Sequence, residues 1–341
     1  MKNRKTRFEC DTGTIELEKA GAPVTMRGHM AATSSGERAS AAAGYSSASV
    51  LTALFVSLRP AQWVKNLVLP LPFLFGSALG QPSGWVLAAE GFVVFCVISS
   101  GVYLINDVKD RERDRAHPVK RYRPLATGLL GVGTAVTAGV TLLVAGIFVA
   151  YLLDRGFGNL CAFYAGLMVL YSLWLKHVPF LEALIVAAGL PLRALAGAAL
   201  AHVPASAFLM GCAYTLALFL VVGKRQWELQ NAGHTHSAEH RSVLAKYEEE
   251  WLDFIFVTSA LTVVASYAVY SVIPSTLARH GGRSFAATVP FVILGVARYV
   301  RLVYRRGGGG NPTRALLIDD PWLLLIVVGW VLTAGGIIYA R

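Results

Sequence analysis

Nine apolar stretches limit what this sequence can fold into. They run at about 66–80, 86–105, 129–152, 158–175, 180–201, 205–223, 253–274, 286–303 and 321–340. Each approaches the roughly 20 residues that a bilayer core requires. A chain in lipid must satisfy its backbone N–H and C=O groups internally, and successive runs of this length do so as helices. The expected fold is all-α: a polytopic membrane protein whose nine-helix bundle occupies residues 51–341, with cytoplasmic cap loops. Hydrophobic residues make up 55% of the chain and charged residues 15%, which excludes an ordinary soluble domain. Gly131, Gly133, Gly139 and Gly146 in the third run, and Gly189 and Gly197 in the fifth, predict close helix approach.

The net charge of +11 would suggest a nucleic-acid partner if the basic residues were clustered. They are instead sorted by loop. Of 31 Lys and Arg, 26 fall in the N-terminal segment and in alternate loops, and four on the other side. The positive-inside rule then places the N-terminus and those loops in the cytoplasm and the C-terminus outside a plasma membrane, with no nucleic acid needed. Residues 1–50 are polar and Ser/Ala/Gly-rich, with Lys2, Arg4, Lys5 and Arg7 and no apolar run, and read as a disordered cytoplasmic extension. Leu51 to Lys65 is a weakly amphipathic approach, with Arg59, Gln62, Trp63 and Lys65 at the interface. Cys10, Cys96, Cys161 and Cys212 show neither metal spacing nor a disulfide pattern and read as packing residues.

The chemistry concentrates where the second run ends. Asn106 to Pro124 holds four acids and seven Lys/Arg in nineteen residues. If the helix continues into it, a turn of about 100° per residue puts Asn106 at 0°, Asp110 near 40°, Asp114 near 80° and Asp107 near 100°. Glu112 falls on the far side, and Pro118 stops the helix. One amide and three carboxylates on one stripe suit Mg²⁺, which binds through one or two carboxylates plus substrate phosphates. Lys120 and Arg123 follow as candidate phosphate holders. A solvated loop with scattered ion pairs is the competing reading; the one-sided placement of the acids argues against it.

Two further clusters matter. Glu182 and Arg193 lie eleven residues apart in the fifth run, on one helix face but about 16 Å apart, too far to pair. Charges inside a span are by default functional. Tyr171 and Lys176 precede them in YSLWLK. After the sixth run, GKRQWEL offers Lys224 and Arg225 to phosphate, with Glu228 one turn from Lys224; orientation by flanking charge is the alternative. Lys65 and Asn66, at the mouth of the first run, are candidates for a polar substrate. His234, His236 and His240 read as solvated loop. No Walker loop, Ser/His/Asp set or dinucleotide fingerprint has a credible setting.

Asn106-x3-Asp110-x3-Asp114 resembles the first aspartate-rich motif of the UbiA superfamily of intramembrane prenyltransferases, over about residues 55–340. That resemblance implies nine helices around a cavity open to cytoplasm and lipid. Prenyl-transferring members carry a second acidic motif after the sixth helix; here that place holds Gly223-Lys224-Arg225-x2-Glu228. The motifs LRPxQWVKN (Leu58–Asn66), NDxxDxxxDxxHPxKxxRP, YSxxLK, the Glu182/Arg193 pair and GKRxxEL together resemble the decaprenyl-phosphate phosphoribosyltransferase branch. The resemblance implies a Mg²⁺-dependent transfer from phosphoribosyl pyrophosphate to a polyprenyl phosphate of the bilayer, feeding the lipid-linked arabinose donor of cell-wall polysaccharide. By the same resemblance, Asn106, Asp107, Asp110 and Asp114 hold the metal. Asp107, Asp110, Asp114 and Glu182 are the catalytic candidates. Lys65, Asn66, Tyr171, Lys120, Arg123, Lys224 and Arg225 bind substrate, and Lys176 or Arg193 meets the lipid phosphate. A homo-oligomer is compatible with this reading. The alternative enzyme moves a prenyl group from a prenyl diphosphate to an aromatic or small acceptor. A transporter is the non-enzyme reading, and the gathering of charged motifs at helix ends argues against it.

Overall fold

The structure, a computed structural model, describes residues 47–75, 82–117, 120–178, 180–232, 249–279, 282, 284–305, 312 and 315–339. Every regular element among them is helical. Among the described residues, eight helices are long and apolar enough to cross a membrane. They are α1 (Pro82–Ala116), α2 (Val132–Leu153), α3 (Arg155–Leu173), α4 (Leu181–Leu200), α5 (Ala207–Ala232), α6 (Glu249–Val272), α7 (Val289–Tyr304) and α8 (Pro321–Tyr339). They match eight of the nine apolar runs.

The first run behaves differently. A 3-10 stretch, Pro60–Val68, passes into a short helix, Leu71–Phe75, and residues 76–81 lie outside the described ones. Pro70 and Pro72 explain the break, since each lacks an N–H and crowds the turn before it. Residues 1–46, most of the expected extension, are also outside the described residues, while Ser47 to Val50 begin the helix Ser47–Ser57. His234, His236, His240 and Gly307–Gly310 lie outside them too.

Helix α1 has 35 residues, about 52 Å of helix at 1.5 Å each. It carries the apolar run and the acidic motif on one rigid rod. It ends at Ala116 because Pro118 restricts the residue before it. The spans pack as two groups. Helices α1 to α4 share one core, with Phe95, Ile98, Phe157 and Leu200 fully buried. Helices α5 to α7 share another, in which Phe219 stacks on Phe256 and meets Tyr299 edge-on, both at 5.3 Å. Helix α4 packs on α5 and joins the groups, and α8 packs on α7. Asp154 separates α2 from α3 and caps α3, its carboxylate accepting the Phe157 N–H at 2.7 Å.

Two of the predicted small-residue contacts place the site. A Cβ on Gly146 would lie 2.7 Å from the Ile98 side chain, so α2 can press close to α1. A Cβ on Gly197 would lie 1.9 Å from the Leu69 carbonyl oxygen, closer than any side chain can approach. That bare point on α4 seats the irregular first segment, and with it Lys65 and Asn66, against the bundle.

Candidate functional site

A cavity of about 230 Å³ opens at the charged end of the first helix group. Three helices and the irregular first segment build it. Helix α1 supplies Tyr103, Asn106, Asp110 and Arg113; α3 and the turn after it supply Tyr164, Tyr171, Lys176 and His177; α4 supplies Gly189 and Arg193. The irregular first segment adds Arg59 and Lys65. Five of these side chains are cationic (Arg59, Lys65, Arg113, Lys176, Arg193) against the single carboxylate of Asp110. Field lines from so many like charges in a low-dielectric recess favour a polyanion.

The acidic stripe of α1 divides in two. Asn106 and Asp110 face the cavity. Lys176 Nζ donates to Asp110 Oδ1 at 2.6 Å and to Asn106 Oδ1 at 3.5 Å. Asp107 and Asp114, further round the helix, are buried and taken up by arginines. Arg123 donates to Asp107 at 3.2 Å and to Asp114 at 2.6 Å, and Arg59 makes a second, short bond to Asp107. Glu112 points away, bonded to Arg115, as its angle predicts. Among the described residues no group of three or more His, Cys, Asp or Glu is placed to hold a metal ion. A divalent cation still fits the cavity-facing pair: two hard oxygens already converge on one positive charge, that of Lys176. One carboxylate, one amide and a donor's phosphates form a set that suits Mg²⁺.

The second cluster also divides. Arg193 donates from Nε to Asn66 Oδ1 at 2.8 Å, from Nη2 to the Tyr164 hydroxyl at 2.7 Å, and to the Gly189 carbonyl. Asn66 in turn donates to Ser99 Oγ at 3.1 Å and to Cys96 Sγ. Arg193 is thus 8% exposed, braced on three sides, and presented to the cavity. Glu182 turns elsewhere. It is fully buried and grips Arg225 through both oxygens, at 2.5 and 2.8 Å. Arg225 also donates to Glu228 at 2.6 Å. The two charges of α4 do not pair with each other, as their spacing predicts. Tyr171 links the centres: its ring lines the cavity and its hydroxyl donates to Glu182 at 3.3 Å.

Of the residues singled out in the sequence, Lys65, Asn106, Asp110, Tyr171, Lys176 and Arg193 line the cavity, and Asn66 backs it. Asp107, Asp114, Lys120, Arg123, Glu182, Lys224 and Arg225 do not line it. Lys65 is an exposed residue, but its ammonium group sits low in the cavity with protein on most sides. Burial, then the charges of Lys224, Arg193 and Arg59, lower its pKa to about 8. Burial, with Arg113 and Lys176 nearby, also holds His177 below the usual imidazole value. Tyr103, Arg113, Tyr164 and His177 were missed by the motif reading, and Arg59 was read only as an interface residue. Tyr103 and Arg113 had a signal, since they sit three residues either side of the Asn106–Asp110 face. Arg59 adopts a left-handed backbone, φ 56° and ψ 59°, unusual outside glycine.

The model of the UbiA prenyltransferase family matches residues 67–318. The decaprenyl-phosphate phosphoribosyltransferase of Mycolicibacterium smegmatis is 34% identical over 302 residues, covering 85% of this chain and 93% of that protein. The protein of the same name from Corynebacterium glutamicum is 36% identical over 280 residues, 81% of this chain and 83% of that protein. A UbiA homolog from Archaeoglobus fulgidus, solved bound to GPP and Mg²⁺, superposes with a TM-score of 0.63 at 17% identity, covering 84% of this chain and 99% of that one.

Proposed function

This chain belongs to the UbiA prenyltransferase family, and on that premise we propose that it transfers a 5-phosphoribosyl group from phosphoribosyl pyrophosphate to a polyprenyl phosphate. The observation that carries the reading is the charge of the cavity: five cationic side chains against one carboxylate. Both substrates are phosphate-bearing, and the donor has phosphates at each end. A prenyl diphosphate would need less positive charge and a second acidic cluster for more metal. At that second place this chain has Lys224, Arg225 and Glu228.

In the proposed reaction a phosphate oxygen of the lipid attacks C1 of the ribose. The C1–O bond to pyrophosphate breaks, and pyrophosphate leaves. The nucleophile is already anionic, so no general base is required. Asn106 and Asp110 would hold Mg²⁺, which when bound neutralises charge on the departing pyrophosphate. Lys176 binds phosphate oxygens once it leaves Asp110. Arg193, fixed by Asn66, Tyr164 and Gly189, orients the second phosphate without losing much freedom. Lys65 and Arg59 complete the cationic wall. Most of the rate then comes from placement and fixed charge. The bound end of the cavity faces the cytoplasm in this proposal, as the Lys/Arg distribution implies.

A membrane assay tests it. Membranes containing the protein are given phosphoribosyl pyrophosphate labelled in the ribose, with or without polyprenyl phosphate. Label should pass into the organic phase only when lipid phosphate and Mg²⁺ are both present. A parallel assay offers a labelled prenyl diphosphate and an aromatic acceptor. Transfer in the second assay and none in the first would reverse the assignment.

A further inference from the structure

The proposed reaction leaves one built feature of the bundle unused. On α7, Leu294, Arg298 and Arg301 form a stripe at helical spacings of four and three. Trp322, Leu325 and Ile326 of α8 face it across an open groove of about 550 Å³, a volume typical of ligand pockets. The walls are apolar and largely uncovered; Leu294 is 55% exposed, Leu325 60% and Trp322 63%. One end is cationic. Arg298 Nε donates to Asp320 Oδ2 at 2.9 Å, which uses one of the five guanidinium N–H donors. Asp320 is held in turn by the Leu323 N–H at 3.0 Å, so Arg298 is braced against the start of α8. Arg301, one turn further, is exposed, and its side chain has no partner among the described residues. Arg305 follows; the acids beside this end are Asp319 and Asp320, and Asp320 is already answered by Arg298.

We propose that this groove binds an anionic glycerophospholipid of the surrounding bilayer, with an acyl chain along Leu294, Leu325 and Ile326 and its phosphate on Arg298 and Arg301. The occupant must carry an apolar chain and an anion in one molecule and must arrive from lipid. A zwitterionic headgroup brings its own cation and gains less from the two arginines. The acceptor lipid of the reaction is a poor match, because the groove shares no residue with the cavity and lies on helices that do not line it. The lipid has a structural consequence. Helix α8 packs chiefly on α7 among the spanning helices, and only 11% of its apolar window is buried. A lipid bridging the two helices holds α8 in place.

The test needs no turnover, so it stands or falls apart from the proposed reaction. Purified full-length protein in detergent is melted with added phosphatidylglycerol or phosphatidylcholine, and retained lipid is weighed by native mass spectrometry. At tenfold excess over its dissociation constant, phosphatidylglycerol should raise Tm by about 3–5 °C more than phosphatidylcholine does. Arg301→Gln should weaken retention of phosphatidylglycerol at least about tenfold, the scale of one lost charged contact. Ala297→Trp, at an exposed position lining the groove, should block retention while Arg301 stays intact. Equal effects of the two lipids, or a phosphatidylglycerol effect unchanged in both variants, overturn the proposal. So does displacement of phosphatidylglycerol by equimolar polyprenyl phosphate, which makes the groove an acceptor site. A lipid-free dimer that Ala297→Trp dissolves also overturns it, since a second copy then fills the groove.

Discussion

Two charge centres flank the cavity and are built in opposite ways. Around Asp110, a carboxylate at the cavity's edge meets Lys176 from the turn after α3 and Arg113 from its own helix; the Asp110 side chain is 18% exposed. Around Glu182, the charges satisfy one another inside protein; the side chains of Glu182 and Arg225 are 1% and 5% exposed. The first centre can trade a protein partner for a ligand at little cost. The second cannot, because a buried charge that loses its partner has no water to replace it. Similar residue types thus serve as a binding surface in one place and as scaffold in the other. Asp107 and Asp114 lie between the two cases: their carboxylates are buried, but their partners Arg59 and Arg123 are 25% and 29% exposed.

The largest effect should come from breaking the closed centre. Glu182→Ala leaves Arg225 buried with only Glu228 beside it and should lower stability by about 3–5 kcal/mol. Replacing both partners, Glu182→Leu with Arg225→Met, should recover most of that loss. Thermal or denaturant unfolding in detergent reads both. If the single variant melts normally yet is inactive, Glu182 meets substrate and the two centres are alike after all.

The open centre should show the reverse. Asp110→Asn should leave the melting temperature near wild type and lower turnover by about a hundredfold to a thousandfold, the scale of losing one fixed electrostatic contact to a reacting group. Asp107→Asn should be milder in turnover and costlier in stability. Equal kinetic losses at the two positions, with no change in stability, would return Asp107 to the ligand set.

These differences were only partly legible in the sequence. Eight spans were, because length and hydropathy fix them. The first run reads as a span from its apolar composition, and among the described residues Pro70 and Pro72 break it into a 3-10 stretch and a short helix. Helical angles correctly put Asn106 beside Asp110 and Glu112 on the far side. Angles on one helix cannot say what faces it. Arg59 reaches Asp107 across 48 residues, and Arg225 reaches Glu182 across 43. Contacts at that separation come from how helices pack, which the local pattern does not encode. For the same reason the sequence offers Arg225 to phosphate without showing that Glu182 and Glu228 hold its guanidinium in the structure.

A smaller effect concerns pH. Lys65 has a pKa near 8 against 10.5 for a free lysine, chiefly through burial and then through Lys224, Arg193 and Arg59. It is cationic below that value and neutral above it. If its charge holds donor phosphate, kcat/KM for the donor falls as pH rises through 8, reaching about a tenfold loss near pH 9. Stability moves the other way. From about pH 8 to 10.5 the unfolded chain keeps a proton that the folded chain has released, so this group favours folding more as pH rises. Activity that falls while the fold firms is therefore the expected signature. Lys65→Arg should abolish the alkaline limb, and a limb that persists in that variant belongs to another group.

The smallest effect joins the two regions. Lys224 is the second residue of the GKRQWEL motif on α5, does not line the cavity, and sits one turn from Glu228 at 3.8 Å. Its charge is nevertheless the second cause of the lowered Lys65 pKa, after burial. The charge of the GKRQWEL motif thus bears on the cavity. Lys224→Gln removes a like charge and keeps the length and polarity of the side chain. The alkaline limb of kcat/KM should then move to higher pH, by less than the full distance to 10.5 because burial remains. Added salt should shrink the difference between variant and wild type if the path between the two lysines is wet, and leave it if the path is dry. Turnover at pH 7 should stay within about threefold of wild type, since Lys65 is charged there in both proteins. A large loss at pH 7, with the limb unmoved, would mean that Lys224 touches substrate itself, and the division into an open and a closed centre would have to be redrawn.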